Sequence, residues 1–157
     1  MFDEIQIIEN IQKLNLNNIM KLLSQPFNSI SFIILLLLFH KYKLLNQNDI
    51  IKLAFSSMIT ILIKVIIQRE RPYKSSTRVQ NLSNSTHSSL SEKYSFPSGH
   101  TQTATVLALI LLRKYPNDNF LKIMPFMVGL SRVFLGVHYP TDIIGGMIMG
   151  YLYDKYY

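Results

Sequence analysis

Apolar segments separated by short polar joints dominate this chain. The first follows Pro26 and covers residues 27–45, close to the roughly 20 residues that an α-helix needs to cross a bilayer. The second covers residues 50–67, after a polar joint at 46–49. Three shorter segments follow, at residues 99–115, 120–137 and 141–153. The pattern predicts an all-α integral membrane bundle of about five spans, in which neighbouring helices as well as lipid bury the shorter segments.

Residues 2–23 have the 3.6-residue period of an amphipathic helix, with apolar side chains on one broad face. Four polar residues interrupt the pattern: Glu4, Gln12, Asn15 and Asn18. Such a helix lies on a membrane surface rather than spanning it, or packs on the rest of the protein, and both remain open. A length of 157 residues predicts one domain. We expect an amphipathic surface helix over 1–24 and a helical bundle carrying the site over 27–157.

The composition favours a membrane protein and argues against binding of nucleic acid. The chain is 48% hydrophobic and 16% charged, whereas ordinary soluble domains have about 25% charged residues. A net charge of +7 can indicate nucleic acid or anionic lipid. However, the basic residues form no run and do not alternate with aromatic residues on one segment. We therefore expect the bilayer and a membrane lipid as partners, and no nucleic acid.

The first of three polar clusters joins Lys64 to Arg71 and Pro72. A lysine inside an apolar run is costly unless it pairs or reaches water, and a lysine that reaches the interface is one interpretation. Arg71 lies almost two helical turns further on, so both cations would share one helix face, about 10 Å apart. They could then converge on one anion, and Pro72 would end the helix. Arg69 and Lys74 lack this spacing and are expected to face solvent.

The second cluster is Pro97-Ser98-Gly99-His100, directly before an apolar run. Ser98 can cap a helix, and the amides at a helix start can hold phosphate oxygens. Gly99 allows the backbone to approach a ligand closely, and His100 would point into the same space. Taken alone, a four-residue motif is better explained by a histidine at a hydrated helix end. The intervening polar segment, residues 68–96, predicts a loop at the mouth of the site, and we assign no role to its His87.

The third cluster contains Arg132, His138 and Asp142. Arg132 can bind phosphate through its planar fork of donors. His138 and Asp142 are four residues apart, so the carboxylate can accept one ring N–H and leave the other nitrogen free to attack. Pro140 suits the first turn of a helix. An acid that only complements the helix dipole is the alternative for Asp142.

The three clusters are predicted to lie at the same end of the bundle. When the predicted spans are traced back and forth, the ends near Arg71, His100 and His138 emerge on the same side of the membrane. Together the clusters supply three cations, two histidines, one carboxylate and a helix start. This set favours transfer of a phosphoryl group through a histidine.

In order and spacing, these motifs resemble the three-part signature of the type 2 phosphatidic acid phosphatase superfamily. The match covers residues 64–142 with no departure at a motif position. The resemblance implies a helical bundle with a metal-independent phosphatase site and no cofactor. Vanadium haloperoxidases share the superfamily, but they are larger soluble proteins. Membrane members commonly have six spans and usually place the site on the extracytoplasmic face, so residues 2–23 would be a degenerate first span or a surface helix.

The resemblance also implies a role for each motif residue. His138 would be the nucleophile, oriented by Asp142, and His100 would protonate the leaving oxygen and later activate water. Five groups would hold the phosphoryl oxygens: Lys64, Arg71, Ser98, Gly99 and Arg132. We expect a multi-pass membrane phosphatase for undecaprenyl diphosphate, phosphatidic acid or phosphatidylglycerol phosphate, with a slight preference for the first. The alternatives are a lipid phosphotransferase that uses the same histidine, and a non-catalytic membrane protein that keeps the fold.

Overall fold

The computed structural model describes residues 3–83, 85 and 90–157, so residue 2 and His87 lie outside the described part. The helices are α1 (Glu4–Gln12), α2 (Asn17–Ser24), α3 (Ser29–Lys41), α4 (Gln47–Ile67), α5 (Pro72–Ser75), α6 (Leu90–Lys93), α7 (Gly99–Leu112), α8 (Asn119–Phe134) and α9 (Pro140–Tyr156), with a 3₁₀ turn at Gln25–Phe27. The described residues contain no strand, which confirms the predicted all-α class.

Helix α7 lies at the centre of the bundle, packed by α4, α8 and α9. Its side chains are buried on every face over most of its length. Two glycines of α9 permit the closest of these contacts. A Cβ at Gly146 would lie 2.7 Å from the carbonyl of Ser98, and one at Gly150 would lie 2.9 Å from that of Gln102. This close packing of small residues fixes the first turn of α9 beside the start of α7.

The predicted number of spans is not confirmed. By length and apolar composition, one helical segment of the described chain could cross a membrane, Gln47–Ser75. A second is possible if Asn17–Phe27 and Ser29–Lys41, which meet at 58°, form one broken span. The apolar segments do form helices near their predicted positions, but these are short. Helix α3 has 13 residues, or about 20 Å at 1.5 Å per residue, against about 30 Å of hydrocarbon.

The outer faces of the bundle are strongly apolar. Large aliphatic and aromatic side chains are exposed on α3, α4, α8 and α9, among them Ile30, Ile66, Phe126 and Ile144. A contiguous exposed apolar surface marks an interaction with lipid or protein. The core helix α7, by contrast, has its apolar side chains almost wholly inside the protein.

The single helix predicted over residues 2–23 is divided into α1 and α2. The chain breaks where Asn15 adopts a left-handed conformation, φ 54°, which asparagine tolerates better than most residues. Helix α1 packs on the bundle through Ile8, which is 0% exposed and belongs to a cluster with Tyr139 and Ile143. Gln12, one of the residues that interrupt the amphipathic pattern, donates to the carbonyls of Gln80 and Phe134.

The prediction that Lys64 and Arg71 share one helix face is wrong. Helix α4 ends at Ile67 because Gln68 takes a left-handed conformation, φ 53°, with its N–H bonded to the carbonyl of Lys64. Arg71 is extended, and Pro72 begins α5 instead of ending α4. Proline suits a first helical position because its fixed φ is already helical and no N–H is needed there.

Candidate active site

A cavity of about 240 Å³ lies at the start of α7, between α4, α8 and the loop that precedes α9. Six of the eight predicted site residues line it: Lys64, Arg71, Gly99, His100, Arg132 and His138. The other two, Ser98 and Asp142, are fully buried and do not line it. Residues from both halves of the chain therefore meet in one space, although Lys64 and Arg71 do not lie on one continuous helix as was predicted.

Lys64 is 2% exposed, and backbone carbonyls hold its ammonium group. Its Nζ donates to the carbonyl of Tyr94 at 2.7 Å and to that of Ser95 at 3.3 Å. Both acceptors belong to the segment directly before the helix start at Ser98. The two carbonyls orient Nζ of Lys64, which lines the cavity as a hydrogen-bond donor for an anion.

Arg71 is equally buried, 2% exposed, and is held in the same manner. Its Nε donates to the carbonyl of Glu92 and one terminal nitrogen donates to that of Val137, each at 2.6 Å. The same terminal nitrogen is 3.4 Å from Nε2 of His138. The guanidinium therefore lies directly beside Nε2 of His138, and both residues line the cavity.

Arg132, 5% exposed, completes the group of buried cations. One terminal nitrogen donates to the hydroxyl of Ser24. Its Nε is buried without a hydrogen-bond partner in the described part of the chain, and so is Oε1 of Gln102, which also lines the cavity. Buried polar atoms without partners are uncommon and costly. Three buried cations and the unpaired Nε–H of Arg132 around one space are the features of an anion-binding site.

His138 and Asp142 lie together at the start of α9. Nδ1 of His138 is 3.4 Å from Oδ2 of Asp142, and the same oxygen accepts the N–H of Tyr139 at 2.9 Å. Asp142 is the third residue of α9, whose first residue is Pro140. The carboxylate thus caps the helix and contacts the imidazole at once, so the two interpretations of this acid are compatible.

The charge state of His138 follows from its surroundings. The side chain is 2% exposed, and burial lowers the pKa of the imidazole well below its ordinary value of 6.5. The neighbouring cations, Arg71 first among them, lower this pKa further because they oppose a second positive charge. The ring is therefore neutral at pH 7, with a lone pair available for nucleophilic attack.

The start of α7 forms the floor of the cavity. Ser98 is its N-cap, with Oγ accepting the N–H of Thr101 at 3.4 Å, and its own N–H donates to the carbonyl of Asp142 at 3.0 Å. This serine joins α7 to α9 and does not line the cavity. At Gly99 an added Cβ would find only Thr60, 3.8 Å away. The protein itself leaves room for a side chain here, so a need for glycine would come from a ligand.

His100 lies at the mouth of the cavity, half-buried. Its Nε2 is 3.0 Å from Oδ1 of Asn28, at the beginning of α3. Outside it lies a larger polar space of about 620 Å³, which shares Glu92, His100 and Arg132 with the inner cavity. His100 and His138 therefore face one cavity from different elements, with His100 nearer the entrance.

Arg69 was predicted to face solvent, and this prediction is wrong. It donates to Oδ1 of Asp142 at 2.7 Å and to Oε2 of Glu4 at 2.7 Å. Its guanidinium also lies 3.9 Å from the centre of the Tyr139 ring. Arg69 would face solvent on a helix that continued past Ile67. The change from apolar to polar residues after Ile67 could have suggested the turn that redirects this side chain. For Glu4, which pairs with Arg69, the sequence offered one indication of an unusual role: this residue interrupts the amphipathic pattern of residues 2–23.

The chemistry that this arrangement can support is phosphoryl transfer. A neutral imidazole faces three fixed cations and the amides of a helix start, which together can stabilise the charge on three phosphoryl oxygens. A second histidine stands at the entrance, where a leaving group would depart. Among the described residues, no group of three or more His, Asp or Glu side chains is placed to hold a metal ion.

A model of the PAP2 superfamily matches residues 50–156. The chain belongs to this superfamily. The matched region contains all eight predicted site residues, and the match confirms the resemblance inferred from the three motifs.

Several curated relatives carry phosphatase names. The chain is 39% identical over 71 residues to phosphatidylglycerophosphatase B of Bacillus subtilis, covering 38% of this chain and 35% of that protein. It is 37% identical over 92 residues to a decaprenylphosphoryl-5-phosphoribose phosphatase of Mycobacterium tuberculosis, covering 59% of this chain and 48% of that protein. An undecaprenyl-diphosphatase of Sulfolobus acidocaldarius is 29% identical over 153 residues, covering 92% and 70%. The chain thus spans half or less of the length of the first two relatives.

Two solved structures share the fold. The transmembrane PAP2 type phosphatidylglycerolphosphate phosphatase of Bacillus subtilis superposes with a TM-score of 0.71 at 23% identity, covering 96% of this chain and 82% of that one. LpxE of Aquifex aeolicus superposes with a TM-score of 0.68 at 20% identity, covering 96% of this chain and 94% of that one. At this level of identity the likeness establishes the architecture of the helical bundle.

Proposed function

We propose that this protein is an integral membrane phosphatase that hydrolyses a lipid phosphate or diphosphate through a phosphohistidine intermediate. The observation that carries the proposal is the position of His138, a buried neutral imidazole facing three buried cations across one cavity. A cationic cavity alone would bind an anion. A neutral histidine inside it adds a nucleophile that needs no prior deprotonation at neutral pH.

In the first step, Nε2 of His138 attacks phosphorus as the bond to the leaving oxygen breaks. His100 donates a proton to that oxygen, so the lipid product departs as an alcohol or a monophosphate. Asp142 holds the Nδ1 proton and stabilises the positive charge that develops on the ring of His138. The cations and the helix-start amides stabilise charge on the three phosphoryl oxygens during transfer.

In the second step, water hydrolyses the phosphohistidine. His100, now deprotonated, accepts a proton from the water as the water oxygen bonds to phosphorus and the bond to His138 breaks. Inorganic phosphate leaves, and both histidines return to their starting states. In this scheme Lys64, Arg71 and Arg132 replace the charge that a metal ion would supply, so neither a metal nor a cofactor is required.

A lipid substrate fits the surroundings of the cavity. Phe27, Phe32 and Ile61 give its lining an apolar side. Phe27 also lines an apolar groove of about 270 Å³ between α2, α3, α7 and α8. A phosphate in the cavity could therefore keep its hydrocarbon chain in contact with apolar surface. The names of the relatives favour polyprenyl and phosphoglycerol substrates, and we retain the slight preference for undecaprenyl diphosphate.

We further propose that the apolar outer faces lie in lipid, in a multi-pass arrangement with the cavity on the extracytoplasmic side. Exposed isoleucine, leucine and phenylalanine side chains on α3, α4, α8 and α9 support contact with lipid on several sides. The short helices would cross a locally thinned bilayer or cross together with their neighbours.

The test is phosphate release from three lipids in detergent: undecaprenyl diphosphate, phosphatidic acid and phosphatidylglycerol phosphate. Wild-type protein should release phosphate in the presence of EDTA, and His138→Ala should not. With ³²P-labelled substrate, rapid quenching in alkali should retain label on the wild-type protein, because phosphohistidine is stable in alkali and labile in acid. A labelled protein that passes phosphate to an added lipid or sugar, and not to water, would instead identify a phosphotransferase.

A further inference from the structure

A chain of ion pairs connects α1 with the carboxylate behind His138. We infer that Arg69 and Glu4 are positioning residues, which hold Asp142 in the orientation that directs the His138 imidazole toward substrate. The inference rests on the proposed function, because it assigns these residues to the support of a nucleophilic histidine. It also gives helix α1, which brings no residue to the cavity wall, a part in the active site.

Arg69 joins two carboxylates with separate arms of its guanidinium. NH1 lies 2.7 Å from Oδ1 of Asp142, and NH2 lies 2.7 Å from Oε2 of Glu4. The central carbon of the guanidinium lies over the Tyr139 ring, 3.9 Å from its centre. Two charged contacts and one cation–π contact hold the group in place, and a lysine could not make all three.

Asp142 depends on Arg69 for one of its two oxygens. Oδ2 accepts the N–H of Tyr139 and lies next to His138, whereas Oδ1 is bonded to Arg69. With both oxygens occupied, the carboxylate cannot rotate about its terminal bond. Without Arg69, Oδ1 would lose this ion pair, and the 3.4 Å contact with the imidazole would depend on the contacts of Oδ2 and on a hydrogen bond from the side chain of Ser95 to Asp142.

Glu4 supports the same turn by a second route. Its Oε1 accepts the backbone N–H of Thr141 at 2.9 Å and the Thr141 hydroxyl at 2.8 Å. Thr141 directly precedes Asp142 in the first turn of α9. Burial raises the pKa of Glu4, but the hydrogen bonds from Thr141 and Arg69 outweigh it and lower this pKa overall, so the carboxylate is ionised at neutral pH.

The position of Glu4 is itself fixed by the packing of α1. Asp3 caps the helix by accepting the N–H of Gln6 at 3.1 Å, and Ile8 lies one turn after Glu4, fully buried against the cluster that contains Tyr139 and Ile143. Glu4, Arg69 and Asp142 therefore form a relay of contacts between two anchored helices, α1 and α9.

The test compares Arg69→Gln, Arg69→Lys and Glu4→Gln with the matched control Arg78→Gln. Arg78 also pairs with acids of α1, Asp3 at 3.7 Å and Glu9 at 3.6 Å, but it touches neither Asp142 nor Thr141. Displacements near 1 Å at a reacting group can cost on the order of 10²-fold in rate. We expect Arg69→Gln to lower kcat by roughly 10–100-fold with little change in KM, because the loss falls on the transition state.

The conservative variants sharpen the test. Arg69→Lys should restore part of the lost kcat, and Glu4→Gln should lower kcat by roughly 3–10-fold, because it weakens the relay at its far end. The double variant of Arg69→Gln and Glu4→Gln should be little worse than Arg69→Gln alone, since both changes break one chain of contacts. The control Arg78→Gln should keep wild-type kcat.

A second readout does not require turnover. Nitrogen NMR of histidine-labelled protein should find the His138 proton on Nδ1 in wild type and in Arg78→Gln, and a mixture of tautomers in Arg69→Gln. If Arg69→Gln keeps wild-type kcat and the Nδ1–H tautomer, the relay is refuted. The relay is equally refuted if Arg69→Gln raises KM alone, or lowers only the melting temperature. Failure of the proposed function looks different, because wild type and His138→Ala would then release phosphate equally or not at all.

Discussion

Replacing Gly99 with alanine should change substrate binding and turnover without lowering the stability of the fold. The nearest atom to an added methyl is Cγ2 of Thr60 at 3.8 Å, an ordinary contact distance. The backbone of Gly99 is not left-handed, so alanine adds no strain. We therefore expect the folded protein to be as stable as wild type, or slightly more so because alanine restricts the unfolded chain.

The ligand should respond in the opposite way. The space that the methyl group would take is part of the cavity wall, next to the amides that start α7. A phosphoryl group kept from these amides loses a hydrogen bond between charged partners, worth about 1.5–3 kcal/mol. Since about 1.4 kcal/mol is a factor of ten, kcat/KM should fall roughly 10–150-fold.

Gly146→Ala is the contrasting variant for stability, because an added methyl group there meets the protein itself. Its Cβ would lie 2.7 Å from the carbonyl of Ser98 and 3.2 Å from Cβ of Thr101, so α9 must shift away from α7. This variant should melt at a lower temperature than wild type. Phosphate release at several substrate concentrations and thermal unfolding in the same detergent measure both effects. A Gly99→Ala protein with unchanged kcat/KM would refute the close approach of phosphate, and one with a strongly lowered melting temperature would refute the packing argument.

Three further predictions concern individual residues. His100→Ala should lower kcat on the order of 10²–10⁴-fold because it removes proton transfer; a smaller loss with a substrate whose leaving group is a good one would support that role, and an equal loss would contradict it. Ser98→Ala should cost about 1 kcal/mol of unfolding free energy through the lost helix cap, seen as a lower midpoint in denaturant titration, and an unchanged midpoint would contradict the capping role. Because its pKa lies below 6.5, His138 should stay neutral as the pH falls from 8 to 6.5 and acquire a proton only below that. Nitrogen NMR would contradict this if it found an imidazolium at pH 7.

The sequence predicted the cluster at one end of the bundle because its motifs coincide with helix starts. Ser98 is a capping residue and Pro140 suits a first helical position, so each motif announces both a helix and the functional residue beside it. His138 and Asp142 needed only a short separation along the chain to be paired correctly. Helix starts and side-chain pairs of this kind can be predicted because they depend on residues that are close together in the sequence.

The relay and the end of α4 could not be predicted in this way, because they depend on contacts between residues that are far apart in the sequence. Glutamine rarely marks a left-handed helix end, so the change to polar residues at Gln68 indicated at most a turn, and not that Arg69 would reach Asp142. Glu4 and Thr141 meet only because α1 packs beside α9. The number of spans stays a prediction for a related reason: a helix that is apolar on all sides, such as α7, has the same composition whether lipid or protein surrounds it.

The most direct measurement for the central claim is the amount of alkali-stable ³²P bound to protein during turnover of labelled lipid phosphate, in wild type and in His138→Ala, with EDTA present. The proposed mechanism predicts labelled wild-type protein, no label on His138→Ala, and a loss of phosphate release in that variant on the order of 10⁶-fold. A wild-type protein that releases phosphate without ever acquiring label, or a His138→Ala protein that keeps near-normal turnover, would contradict it.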